Sequence, residues 1–345
     1  MRRIKKSKKS GRATKPRASR PKPKDPDQES YALRSLFFHR KVKELAFPRI
    51  REEIKALKSA GFKWGNLKGL GIQPAAFASL EKQGIDPIHI FCHPDVIRGN
   101  PRLVAFYRGV AGISHKGMGR TLFPTFALEL GKGKLDEQRA GRLASHLNSL
   151  ISAQIEADSE YGCRTALSML FATFGDTVGG SWRNLKGDRA AIVARSIIHE
   201  SFRPNEIETV TLHDGTALVQ AKQTPVEKMR AIELRNGYRI RFGSEPDVAI
   251  HDAKNVLIGT IEIKGGTDRA GALERYAAAL KSFGHAIAQN PRVLNYYIAS
   301  CSTPAVDKRI EKDRKVHESF DLHGVSLEPT QRDRFVKALR WLCRL

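Results

Sequence analysis

Between Tyr31 and Ala60 the apolar positions Leu33, Leu36, Phe37, Val42, Leu45, Ile50, Ile54 and Leu57 recur at helical spacing, with Pro48 set to bend or break the segment. Residues 61 to 123 carry many Gly, Pro and short apolar runs and read as mixed helix and loop. Two further helices are predicted over 136–157 and 161–174, the first with Leu143, Leu147, Leu150, Ile151 and Ile155 on one face. Gly175, Gly179 and Gly180, ahead of Lys186, read as a turn, since their spacing fits no phosphate-binding loop. Another helix is predicted from 188 to 202, stopping before Pro204.

Beyond Pro204 the period shortens to that of strands. Thr209 to Leu212 and Ala217 to Ala221 flank the turn-rich His213-Asp214-Gly215-Thr216, and Tyr238 to Phe242 follows an Asn236-Gly237 turn signal. Strands over 247–251 and 256–264, an alanine-rich helix over 268–288 and an apolar strand over 293–300 come next. Closing helices are predicted over 305–316 and 330–344, with a short strand from Val325 to Leu327 between them. An apolar strand after a crossover helix implies parallel pairing. The chain is therefore read as α/β, a mixed sheet covered on both faces by helices, behind a largely helical N-terminal region. Its parts divide into a basic arm (1–28), a mainly helical region (29–187) and a strand-bearing core (188–345).

Composition narrows the partner. At 345 residues and 41% hydrophobic content the chain can bury a real core, and its formal charge of +24 calls for something strongly negative, nucleic acid before an anionic membrane. Twelve Lys or Arg and no acid fall in the first 24 residues, as expected of a flexible arm that holds phosphates by counterion release without reading sequence. A solubility tail or an address signal is the plainer alternative. No run of 18 apolar residues occurs and the basic N-terminus leads into Pro and Lys, so a soluble, cytoplasmic protein is expected. Cys92, Cys163, Cys301 and Cys343 form no C-x-x-C pair and are expected to be reduced and mostly buried. His89, Cys92 and His93 have ligand-like spacing but no second cluster, which favours packing over a metal.

The chemistry concentrates in the hairpin at 247–264. Pro246-Asp247 is followed, after fourteen residues, by Glu262-Ile263-Lys264. Two carboxylates suit Mg²⁺, an oxygen-seeking ion that keeps waters and serves phosphodiester cleavage, while a lysine positions or helps deprotonate the attacking water. Strand alternation puts Glu262 and Lys264 on one face and Ile263 on the other. A two-residue turn at Lys254-Asn255 would set Asp247 directly opposite Glu262, a repulsive pairing that a divalent cation relieves. A three-residue loop closed by Asn255 would shift the pairing by one and leave the carboxylates diagonal. Pro-Asp also ends at Asp27 and Asp95, and Glu-x-Lys also starts at Glu53, but only Asp247 and Glu262 fall on adjacent predicted strands. A solvated surface ion pair is the bland reading.

Pro-Asp, a hairpin-sized gap and Glu-x-Lys, with a helix and an apolar strand after it, resemble the PD-(D/E)XK nuclease superfamily over roughly residues 190 to 300. The runs Ser244-Glu245-Pro246-Asp247-Val248-Ala249-Ile250 and Glu262-Ile263-Lys264-Gly265-Gly266-Thr267-Asp268, then Gly271-Ala272-Leu273-Glu274-Arg275-Tyr276, are similar to the XcyI family of type II restriction endonucleases. The resemblance implies a restriction-endonuclease-like core, a homodimer or higher assembly, cleavage of a GC-rich palindrome of the CCCGGG type, and a methyltransferase protecting the same site. It implies Asp247 and Glu262 as metal ligands with Lys264 near the attacking water, and an extra acid on the preceding helix, for which Glu200 is the candidate. Arg314 in Lys312-Asp313-Arg314, and Arg332 and Arg334 around Asp333, are candidates for guanine contacts, against the plainer reading of solvated helix faces. Arg269 and Arg275 suit phosphate positioning. A structure-selective repair or junction-resolving nuclease, or a basic nucleic-acid-binding protein without catalysis, are the competing functions.

Overall fold

The computed structural model describes residues 26–45, 47–219 and 225–345. The arm expected over 1–28 lies outside the described residues except for its last three. The chain divides at Leu57/Lys58 into two compact units. In the first, the helical segment expected from the apolar spacing is broken into α1 (Pro26–Glu44) and α2 (Phe47–Ala56). The break falls just before Pro48, and proline at the start of a helix costs no backbone hydrogen bond.

The second unit begins with short helices: α3 (Pro74–Lys82), α4 (Pro94–Gly99), α5 (Val104–Val110), α6 (His115–Thr121) and α7 (Phe126–Glu129). Then come α8 (Glu137–Ala157), opened by an Asp136 cap to the Arg139 amide at 2.7 Å, and α9 (Cys163–Glu200). The predicted turn at 175–186 is absent, because α9 runs unbroken for 38 residues and crosses position 187. Each helical glycine costs about 1 kcal/mol. Buried Leu170, Thr173 and Val178 before and between them, and Ala190, Ala194, Ile197 and Ile198 beyond, favour continuing the helix.

Among the described residues eight strands follow, in the spatial order β2-β1-β3-β4-β5-β6-β7-β8. They are β1 (Ile207–Leu212), β2 (Ala217–Leu218), β3 (Met229–Leu234), β4 (Arg239–Phe242), β5 (Val248–His251), β6 (Leu257–Lys264), β7 (Leu294–Ala299) and β8 (Glu318–Asp321). Pairing is antiparallel up to β6 and parallel from β6 to β8, the mixed sheet that the pattern predicted. The helices α10 (Ala272–Gln289) and α11 (Pro304–Lys312) cross between parallel strands. The segment expected as a strand at 325–327 belongs instead to helix α12 (Leu322–Leu327), capped by Asp321 accepting from the Gly324 amide at 2.7 Å. A last helix, α13 (Pro329–Leu342), closes the chain.

One face of the sheet is covered along its length. Ile240, Phe242, Val248, Ile250, Ile261, Ile263, Tyr296 and Ile298 pack with Ala194 and Ile198 of α9 and Phe335 and Leu339 of α13. The other face is covered only in part, by Tyr276, Ala279 and Phe283 of α10 beside Tyr297, and by Ala286 beside Leu257. Over β3 and β4 it carries half-buried Glu233 and Arg239 and exposed Arg241, so the expectation of two covered faces holds for the parallel half alone. Antiparallel sheets commonly leave one face to water.

Candidate active site

The hairpin β5–β6 keeps the predicted register. Its loop is the three-residue alternative: Asn255 donates to the Asp252 carbonyl at 2.9 Å, Asp252 to that of Val256 at 3.0 Å, and Asn255 takes a φ of 60°. That shifts His251 opposite Leu257. A bulge at Ile258 then restores Ile250↔Gly259, Ala249↔Thr260 and Val248↔Ile261. One step further along that register stand Asp247 and Glu262, on the face opposite the apolar core.

Three side chains meet there. The Asp247 Oδ2 accepts from the Ile263 amide at 2.7 Å, which fastens the carboxylate to β6. Lys264 Nζ donates to the same Oδ2 at 3.4 Å and in a tight contact to Glu262 Oε2. Glu262 is almost fully buried, and its Oε1 has no hydrogen-bond partner. Burial pushes the Asp247 carboxyl up to about 6, opposed by Lys264 and reinforced by the Glu262 charge. Burial also works against the Lys264 charge, but the two carboxylates outweigh it and hold that group above its ordinary value.

Among the described residues no group of three or more His, Cys, Asp or Glu side chains could hold a metal ion. The pair Asp247–Glu262 nevertheless fits a hard cation that keeps most of its coordination as water, because a buried, unsatisfied carboxylate oxygen such as Glu262 Oε1 is costly until a cation or donor meets it.

Gly265 and Gly266 explain the rest of the run. A Cβ on Gly265 would stand 2.5 Å from both the Ala190 Cβ and the Lys186 carbonyl oxygen, so the strand leaves the site pressed against α9. A Cβ on Gly266 would lie 2.8 Å from the Arg275 guanidinium. Lys186 Nζ donates to Thr267 Oγ1 at 3.4 Å, Asp268 Oδ2 accepts from the Gly271 amide at 3.1 Å, and Arg275 donates to the Asp268 carbonyl.

The other sequence candidates are placed as follows. Glu200, at the C-terminal end of α9, accepts from Ser196 Oγ at 2.8 Å and pairs with Arg332, and it is not gathered with Asp247 and Glu262 into a metal-sized cluster. Arg334 pairs with Glu318 at 2.9 Å and lies over the Phe320 ring, so neither arginine is held by the adjacent Asp333. Arg269 and Arg314 are exposed. Cys92 is buried, its amide donating to Asn148 Oδ1 at 2.7 Å, and His93 Nδ1 accepts from the Asp95 amide at 3.3 Å as the cap of α4, which is the packing role expected. All four cysteines are free, Cys92 and Cys343 buried and Cys163 exposed.

Two features escaped the sequence. Arg195 of α9 lies over the Phe242 ring at 5.5 Å, and burial lowers its affinity for protons, opposed by the charges of Asp247 and Asp188. Arg340 of α13 grips the corner between α9 and β1, donating to both Glu206 oxygens at 2.7 and 2.8 Å and to the Ser201 carbonyl at 3.0 Å. Partners 134 residues apart leave no local signal.

No helix among the described residues is long and apolar enough to cross a membrane. The family model for XcyI restriction endonuclease matches residues 72–313, which takes in Asp247, Glu262, Lys264, Glu200, Arg269 and Arg275 and ends before Arg314, Arg332 and Arg334. The type II restriction enzyme XcyI of Xanthomonas campestris pv. cyanopsidis is 25% identical over 236 residues, a stretch that covers 61% of this chain and 63% of that enzyme's length. With its residues 72–313 matched, well over half its length, the chain belongs to the XcyI restriction endonuclease family.

Proposed function

We propose that the protein is a type II restriction endonuclease that hydrolyses phosphodiester bonds of duplex DNA within a short GC-rich palindrome of the CCCGGG type, leaving 5′-phosphates. The observation that carries this reading is the convergence of Asp247, Glu262 and Lys264 on one face, with an unsatisfied oxygen of Glu262 among them. Asp247 and Glu262 would hold Mg²⁺, which when bound supplies positive charge to the scissile phosphate and acidity to a water. Lys264, kept protonated by its two carboxylate neighbours, donates a hydrogen bond to the attacking water and orients it. The water oxygen forms the new bond to phosphorus as one of its protons passes to solvent, the bond to the 3′ oxygen breaks, and that oxygen takes a proton from solvent, so that one water is consumed per bond cut. Asp247, anchored to the Ile263 amide, keeps its carboxylate in place through the step.

Cutting both strands of a palindrome takes two such sites, so the acting unit is a homodimer or a higher homo-oligomer. Host DNA then needs a methyltransferase of the same specificity. The test is to incubate the protein with phage-sized duplex DNA and with four-way junctions, in Mg²⁺ and in chelator. Discrete fragments from the duplex in Mg²⁺ alone support restriction. Cutting confined to junctions would move the protein to a structure-selective nuclease, and intact DNA throughout would leave it a basic nucleic-acid-binding protein.

A further inference from the structure

The uncovered wing of the sheet bears a basic hollow next to the site. Alternation along β4 puts Arg239 and Arg241 on the face that carries Asp247 and Glu262. Arg241 pairs with Ala249, and Asp247 lies two residues before Ala249, so Arg241 is a cross-strand diagonal neighbour of Asp247, about 7 Å away on a regular sheet. Arg230 joins them from the irregular step in β3 where Leu212 faces Met229 and Thr211 faces Ala231. Together with the small residues Ala231, Gly243 and Ala249 they line a cavity of about 510 Å³.

The charges in this hollow do not balance. Arg239 is neutralised by Glu233 at 3.0 Å, and the rim carboxylate Glu245 lies 3.7 Å from His285. Arg230 and Arg241 are exposed, and among the described residues neither has an acidic partner. Like charges gathered on one sheet face destabilise it unless an anion comes between them. The small side chains in the lining leave room for a tetrahedral group, and guanidinium donors match phosphate oxygens two at a time.

We propose that Arg230 and Arg241 form a phosphate seat that holds the DNA backbone beside the cleaved bond, on the sheet face shared with Asp247 and Glu262. This rests on the nuclease reading above, and it assigns these arginines to positioning the strand without reading bases.

The test is the salt dependence of binding to a 30-base-pair duplex of arbitrary sequence, in chelator so that nothing is cut, for the full chain, the Arg230→Ala/Arg241→Ala double variant and the Arg230→Lys/Arg241→Lys double variant. Losing one neutralised phosphate lowers the slope of log Kobs against log salt by about 1. The alanine variant is expected to show that loss with roughly tenfold weaker binding, and the lysine variant to keep the native slope. A native slope in the alanine variant, or an equal loss in both variants, would overturn the seat while leaving the nuclease reading intact, because Mg²⁺-dependent cutting by the unaltered protein is scored separately. Absence of salt-dependent binding and of cutting in the unaltered protein would remove both.

Discussion

Gly265 lies against Ala190, and the missing side chain at 265 lets β6 leave the site across α9, since a Cβ there would stand 2.5 Å from the Ala190 Cβ. Gly265→Ala therefore forces strand or helix to move, at roughly 1–3 kcal/mol for a crowded contact. The displaced residue next to it is Lys264. Thermal melting should show a modest loss of stability, while cleavage under conditions where the variant is folded should fall by much more than the lost stability accounts for.

Lys264 balances two carboxylates that would otherwise face each other unrelieved. Replacing it in Lys264→Met leaves Glu262, almost fully buried, and Asp247 without a counter-charge, a change on the order of 3 kcal/mol. The variant is expected to melt lower than the parent in chelator and to gain more in Tm from Ca²⁺ or Mg²⁺ than the parent does, because a cation then takes over the lost charge. Equal gains in both proteins would separate the cation from this pair.

Arg340 and Glu206 give a pH-dependent clamp. The hydrogen bonds from Arg340 hold the Glu206 carboxyl down at about 2, against an ordinary value of ~4.3 in an unfolded chain. A depressed carboxylate stabilises the fold above the unfolded value, and that contribution is lost as pH falls from ~4.3 towards 2. Glu206→Gln should cost roughly 1–2 kcal/mol at neutral pH, and its deficit against the parent should shrink as acid is added across that window. Denaturant melts at pH 7 and pH 3 check both halves.

The sequence made the site legible where side-chain alternation governs it. Asp247 and Glu262 fall into register because Val248, Ile250, Ile261 and Ile263 must all face the core, and a slip of one residue would turn them to water. The loop was read less well: Asn255 takes the left-handed conformation of a three-residue loop, and the bulge at Ile258 cancels the shift. β3 escaped because its burial at Met229, Ala231 and Ile232 breaks alternation at the irregular step near Arg230. Polar β8, Glu318 to Asp321, offers only Phe320 as an apolar signal. The glycines of α9 misled because local propensity is weaker than the packing on either side of them.

In the proposed mechanism Asp247, Glu262 and Lys264 act as one site. Single-turnover cleavage of duplex DNA in Mg²⁺ by Asp247→Asn, Glu262→Gln and Lys264→Gln, each also assayed for DNA binding in chelator, tests it most directly. Each variant is expected to bind DNA within a few-fold of the parent and to cut at least about a thousandfold more slowly, several kcal/mol of transition-state stabilisation. An Asp247→Asn protein that still cuts within tenfold of the parent would rule out that mechanism.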